Sequence, residues 1–246
     1  LITSKFTDSG YDAKGRLVRT TQTDSRGRTI TTKLSYHESM PTLITDRVTS
    51  MDGNIIKAER YNYMRPNELS TPNQYVPASM ELAIIDGEVP DASGMAYKTK
   101  ISFDKYDDKG RLLQTTDERG VKTSYVWGYD GRYLIAAVEG VSYQELKNNP
   151  NLINYSELFG TNERYYPSGI PSVVESKLRN LPGVLVTTWE HDPLVGVTKC
   201  TDPSGRIYTY SYDKSNRLAE SALNGNTVLM QYIYNIVSQN NNLIQP

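Results

Sequence analysis

Tyr106-Asp107-Asp108-Lys109-Gly110-Arg111-Leu112 closes one alternating segment, Lys98 to Tyr106, and opens another, Arg111 to Thr116. Between them the chain must reverse. An Asp side chain can take a backbone N–H two residues on, and Gly supplies the left-handed conformation that a tight turn needs. The stretch therefore reads as strand, turn, strand. The same word recurs in Tyr11-Asp12-Ala13-Lys14-Gly15-Arg16-Leu17 and, with Asn for Gly, in Tyr212-Asp213-Lys214-Ser215-Asn216-Arg217-Leu218. Tyr129-Asp130-Gly131-Arg132 is a shortened copy. A repeat sets the architecture before any site is considered, and the residues that recur here are those of turns and strands.

Working outward, turn signals fall at hairpin spacing. Gly15-Arg16 and Gly27-Arg28 punctuate the first strands, and Met51-Asp52-Gly53-Asn54 predicts a type I′ turn. Residues 64–95 carry Pro66, Pro72, Pro77 and Pro90, which predicts loop or edge structure because proline cannot donate to a central ladder. Short strands around Tyr75 and Leu82–Ile85 are compatible with that reading. After residue 140 the period changes. Ser142-Tyr143-Gln144-Glu145 and Ser172-Val173-Val174-Glu175 both have capping-box form, and Val174, Leu178 and Leu181 share a helical face. The expected organisation is a hairpin region at 1–140, a helical insertion at 141–183 with a third short helix near Tyr155–Phe159, hairpins again at 184–238, and a disordered tail at 239–246. The fold class is mainly β: consecutive antiparallel hairpins in a long twisted sheet, or in two packed sheets.

Composition agrees with sheets. The chain has 246 residues with 19 Tyr against 3 Phe and 2 Trp, and Tyr is a strand former that buries a ring while its hydroxyl stays wet. The formal net charge is -1, with no basic stripe, so no nucleic acid is expected as a partner. The single cysteine, Cys200, lies in an alternating segment and reads as a small half-buried side chain. No apolar run is long enough for a membrane span. No signal peptide is present, so a targeting segment is expected to be absent from this chain.

The repeated words resemble the YD-repeat or RHS-repeat family of bacterial extracellular proteins. The span from Tyr106 to Tyr234, with Gly140-Val141-Ser142-Tyr143-Gln144-Glu145 and Leu185-Val186-Thr187-Thr188-Trp189, is similar to the YD-repeat segment of Bacteroidetes surface proteins. The resemblance implies strand-turn-strand units that pair into long curled sheets, and an extracellular or cell-surface location. In the largest members the sheet spirals into a shell around a C-terminal effector. This chain has too few repeats to close a shell alone, so enclosure would be a property of a longer parent.

No catalytic, cofactor-binding or metal site is expected. Asp107-Asp108 and Asp117-Glu118 sit in turns. Glu190-His191-Asp192 cannot converge on one ion because consecutive strand residues face opposite ways, and it reads as a solvated turn entering Pro193. The repeat-defining residues are Tyr11, Asp12, Gly15, Arg16, Tyr106, Asp107, Gly110, Arg111, Tyr129, Asp130, Gly131, Arg132, Tyr212, Asp213 and Arg217. Two aromatic stripes, Tyr208, Tyr210 and Tyr212, and Tyr125, Trp127 and Tyr129, are candidates for stacking on sugar rings. The first expectation is a non-catalytic scaffold whose partners are the rest of its parent polypeptide or itself, through sheet edges. The alternatives are a carbohydrate- or peptide-binding module, with polysaccharide as the ligand, and part of an RHS-type shell.

Overall fold

The computed structural model describes residues 5–66, 74–149 and 168–234. The third short helix expected near Tyr155–Phe159 and the tail at 239–246 lie outside the described residues. Fifteen strands pair in chain order in one antiparallel sheet. The chain divides into two compact units, residues 1–123 and 124–246.

In the first unit, β1 (Lys5–Tyr11), β2 (Leu17–Thr23), β3 (Thr29–Tyr36), β4 (Ile44–Met51), β5 (Asn54–Met64), β6 (Val76–Ala83), β7 (Tyr97–Tyr106) and β8 (Leu112–Asp117) form successive antiparallel pairs. The β4–β5 turn has positive φ at both Asp52 (49°) and Gly53 (89°), the type I′ form expected from Asp-Gly. Most strand residues here are half-buried, and the buried apolar ones are few: Ile55, Ala58, Val76, Tyr106 and Leu113.

The proline-rich stretch corrects the sequence reading. β6 runs through Pro77 and pairs on both sides, with β5 and with β7. Pro77 is tolerated because it stands where the β5–β6 register shifts, opposite Tyr63, with Ala78 as the extra residue. A bulge removes one ladder hydrogen bond in any case, so the missing N–H costs little there.

In the second unit, β9 (Lys122–Gly128) and β10 (Tyr133–Glu139) are followed, among the described residues, by two helices, α1 (Tyr143–Lys147) and α2 (Ser172–Arg179). Then come β11 (Leu185–Asp192), β12 (Gly196–Thr201), β13 (Ile207–Tyr212), β14 (Leu218–Leu223) and β15 (Thr227–Gln231). Here an apolar core forms. Val126, Ile135, Ala136, Val138 and Val186 from the strands meet Leu146 of α1 and Val174 and Leu178 of α2. Both helices thus fold onto strands that present an apolar face, which is what their own stripes require.

The helix ends differ. At α1 the capping box forms: Glu145 N–H donates to Ser142 Oγ, and Ser142 N–H donates to Glu145 Oε2 at 2.9 Å. At α2 the matching word does not cap. The helix begins one residue earlier than the word predicts, with Pro171 at the N-cap and Ser172 already helical. Glu175 is thereby turned to other work, accepting from Arg179 Nε and Thr188 Oγ1, both at 2.9 Å. The Arg179 guanidinium also donates to the carbonyls of Val186, Thr201 and Asp202, which fastens α2 to β11 and β12. Gly140, at φ 95°, lies so close to the Gly183 carbonyl that a Cβ would overlap it.

Candidate functional site

Two constructions recur along the strand ends. The first is the Asp-x-x-Gly-Arg turn. At Asp12, the backbone N–H donates to Arg16 O at 2.9 Å, and Gly15 N–H returns to Asp12 O at 3.0 Å. Gly15 is left-handed at φ 75°. The pattern is that of a turn closed by a left-handed bulge residue. Asp12 Oδ1 accepts the backbone N–H of Lys14 and of Arg16, each at 2.9 Å. Its Oδ2 accepts Arg16 Nε at 2.7 Å and Nη2 at 2.6 Å. The carboxylate's acceptor capacity is filled by its own turn.

Asp24, Asp107, Asp202 and Asp213 repeat the arrangement with Arg28, Arg111, Arg206 and Arg217. Asn216 takes the Gly position at φ 57°, within reach of Asn but costly for branched residues. At Asp117 the Arg has moved inside the turn: Arg119 Nε meets Oδ2 while Val121 N–H fills Oδ1.

These bonds hold the carboxyls of Asp12, Asp24, Asp117, Asp202 and Asp213 below the usual range. At Asp12, Asp24 and Asp213 the backbone N–H of the Arg is the leading cause and its guanidinium the next. At Asp117 the Arg119 side chain leads. At Asp202 partial burial pushes upward, and the hydrogen bonds from Arg206 together outweigh it.

The second construction is a ladder of tyrosines. Tyr11, Tyr36, Tyr106 and Tyr212 each end a strand at a register shift, opposite Leu17, Ile44, Leu112 and Leu218, and Tyr63, one residue before the end of β5, stands at a register shift opposite Pro77. Each bulge adds one residue to the partner strand just after the opposing position, which disrupts the ladder there. At Leu17, Ile44, Pro77 and Leu218 the next tyrosine supplies a donor to that opposing residue's carbonyl. Tyr36 Oη donates to Leu17 O at 2.7 Å, Tyr63 to Ile44 O at 2.8 Å and Tyr106 to Pro77 O at 2.8 Å. In the second unit Tyr212 donates to Val197 O at 2.8 Å and Tyr234 to Leu218 O at 3.0 Å. Where the strand before opens with the word's arginine, the guanidinium covers the ring: Arg16 lies 4.5 Å above Tyr36, and Arg217 lies 4.2 Å above Tyr234. Burial pushes the Tyr106 phenol up to about 12, and it also raises Tyr63.

Of these tyrosines the sequence word found Tyr11, Tyr106 and Tyr212. It missed Tyr36, Tyr63 and Tyr234 because no Asp follows them. It also missed His191, which sits opposite Val197 at a register shift, in the tyrosine's place. His191-Asp192 is thus a worn Tyr-Asp: Glu190 and Asp192 are exposed and the chain turns at Pro193, while the His191 ring is packed. The His191 ring stacks on Tyr133 at 4.8 Å, and its Nε2 lies 2.9 Å from Leu134 O.

The shortened word also differs. Tyr129, Asp130 and Gly131 are all left-handed, at φ 52°, 57° and 76°. Tyr129 Oη donates to His191 O at 3.0 Å and accepts His191 N–H at 2.9 Å. Arg132 closes this turn through its backbone N–H.

The proposed stacking stripes are half-buried throughout: Tyr208, Tyr210 and Tyr212 on β13, Tyr125 and Trp127 on β9, and Tyr129 just after it. Tyr212 and Tyr129 are held by the hydrogen bonds above, and a Cβ on Gly196 would overlap the Tyr212 phenol. Burial raises the Tyr210 phenol and the Cys200 thiol. Among the described residues, no group of His, Cys, Asp and Glu converges as metal ligands would.

No protein-family model and no curated protein matches the chain. Solved structures do. The crystal structure of TcdB2-TccC3-Cdc42 covers 91% of this chain and 12% of that chain, at 12% identity and TM-score 0.34. That of TcdB2-TccC3-TEV covers 87% and 12%, at 13% identity and TM-score 0.34. A Photorhabdus luminescens Tc holotoxin pore covers 89% and 15%, at 10% identity and TM-score 0.22. This chain therefore spans a small part of each.

Proposed function

We propose that this chain is a non-catalytic scaffold segment of a bacterial secreted or cell-surface YD-repeat protein. Its work is to extend an array of hairpins within a longer parent polypeptide. The observation that carries this reading is where the recurring side chains go. In each full-length word the Asp fills its acceptors with its own turn, and the Arg neutralises that Asp. The word's Tyr ties its strand to the strand before. Groups held this way are poorly placed for acid–base or nucleophilic chemistry, which needs a reactive atom open to substrate. A typical intramolecular hydrogen bond contributes about 1 kcal/mol net, so a repeated pair of such bonds stabilises an array that has little apolar core per strand.

The test is a turnover screen of the purified chain against polysaccharide, peptide and ester substrates, beside a variant with Asp107→Asn. The expected result is no turnover by either protein and a lower unfolding midpoint for the variant. A turnover abolished by one carboxylate substitution that leaves the fold intact would sink the reading.

A further inference from the structure

Tyr11 occupies the same place as the other ladder tyrosines. It ends β1, stands opposite Leu17, and lies at a register shift. Leu17 O in turn accepts from Tyr36. Yet β1 is the first strand in the sheet order, with β2 as its paired neighbour. Tyr11 is 64% exposed, and no described residue accepts its hydroxyl. The opposite edge differs. The outermost tyrosine there, Tyr234, already has both its carbonyl partner, Leu218, and its covering guanidinium, Arg217.

We propose that the outer edge of β1, which no described strand pairs, is a docking site for an extended strand of the repeat's own chemistry: antiparallel, and opening with Arg followed by an apolar residue. The inference rests on the scaffold reading above. Five closed tyrosines specify the occupant. Each acceptor is the carbonyl of an apolar or proline residue at the start of an antiparallel neighbour: Leu17, Ile44, Pro77, Val197 and Leu218. In two of the five, the residue before it is an Arg that lies over the tyrosine ring. A docked strand starting Arg-Leu would give Tyr11 both, while β1 contributes the unpaired backbone groups of an edge. The guanidinium–ring contact favours Arg over Lys, because the planar group stacks on the ring.

The experiment uses the whole chain and a synthetic peptide with the β14 sequence, Arg217 to Leu223, followed by amide chemical shifts and amide exchange. Shifts and added protection at Ser9, Gly10 and Tyr11 are expected. Tyr11→Phe removes one hydrogen bond and should weaken binding about fivefold. A peptide with Ala in place of its Arg should bind more weakly still. Tyr11 is exposed, so the variant keeps the fold, and an unchanged unfolding midpoint checks this. No binding, binding at the β15 edge, or equal binding of Tyr11→Phe overturns the proposal. So does concentration-dependent self-association that shifts the β1 amides without peptide, which would make a second copy the occupant. Any of these with a silent turnover screen leaves the scaffold reading standing, whereas turnover removes the scaffold reading by a separate route.

Discussion

The two units hold similar strands by different means. Among the described residues of 124–246 the strands carry helices α1 and α2, and Ile135, Val138, Leu146 and Leu178 are fully buried. In residues 1–123 the largest buried side chains are Ile55, Tyr106 and Leu113, and most strand residues remain half-exposed. The first unit relies more on turn carboxylates and tyrosine hydroxyls, the second on apolar burial. The difference teaches that a hairpin array persists without much core when each junction is tied by specific polar bonds, and that a helix pair turns the same sheet into a conventional packed domain.

The largest effect should come from the packed side. Leu178→Ala opens a cavity at a fully buried helix position and should cost about 3 kcal/mol. Ile30→Ala on half-buried β3 should cost about 1 kcal/mol, since less of it leaves water. Urea unfolding of both variants measures the contrast. Equal costs would mean that the first unit packs as densely as the second.

A smaller effect tests the turns. Gly110 is left-handed at φ 79°, and a Cβ there meets the Gln74 amide. Gly110→Val should cost about 2 kcal/mol, because β-branched residues avoid that conformation. Lys109→Ala, at an exposed neighbour, should stay within about 0.5 kcal/mol. Equal small effects would remove the turn from the list of things that hold the first unit.

Much of this was legible in the residues. Asp-x-x-Gly-Arg announces its turn because Asp, Gly and Arg each have one local task, and all three lie within five positions. Asp52-Gly53 and the Ser142 capping box are legible for the same reason. The ladder was not, because its partners are 15 to 29 residues apart and each acceptor is a backbone carbonyl, which carries no side-chain signature. Tyr36 and Tyr63 therefore looked like ordinary strand residues, and His191 like part of a solvated turn. Pro77 misled because the rule against proline in paired strands has an exception at bulges, and bulges are invisible until register is known. Ser172 misled because the helix starts one residue earlier, with Pro171 at its N-cap and no side chain capping it.

The smallest effect tests whether the first unit depends on its carboxylates. The carboxyls of Asp12, Asp24 and Asp117 are held below their ordinary value of 3.8 by hydrogen bonds from their turns. A depressed folded value means that the unfolded chain takes up protons first. The resulting stability is fully present above about pH 4 and is lost as pH falls through the lower folded values. Each group is open to solvent, so each contribution is screened and small. The second unit has such carboxyls too, at Asp202 and Asp213, but also has the apolar core, which acid leaves intact. Amide exchange, corrected for its intrinsic pH dependence, should show β2 and β3 losing protection as pH falls below that range, before β10 and β11 do. Loss in both units at the same pH would mean that the core in the second gives its strands no independence from the turns. Loss at high salt as well as at low pH would instead point to the guanidinium pairs, because screening weakens those while leaving the backbone hydrogen bonds of the same carboxylates in place.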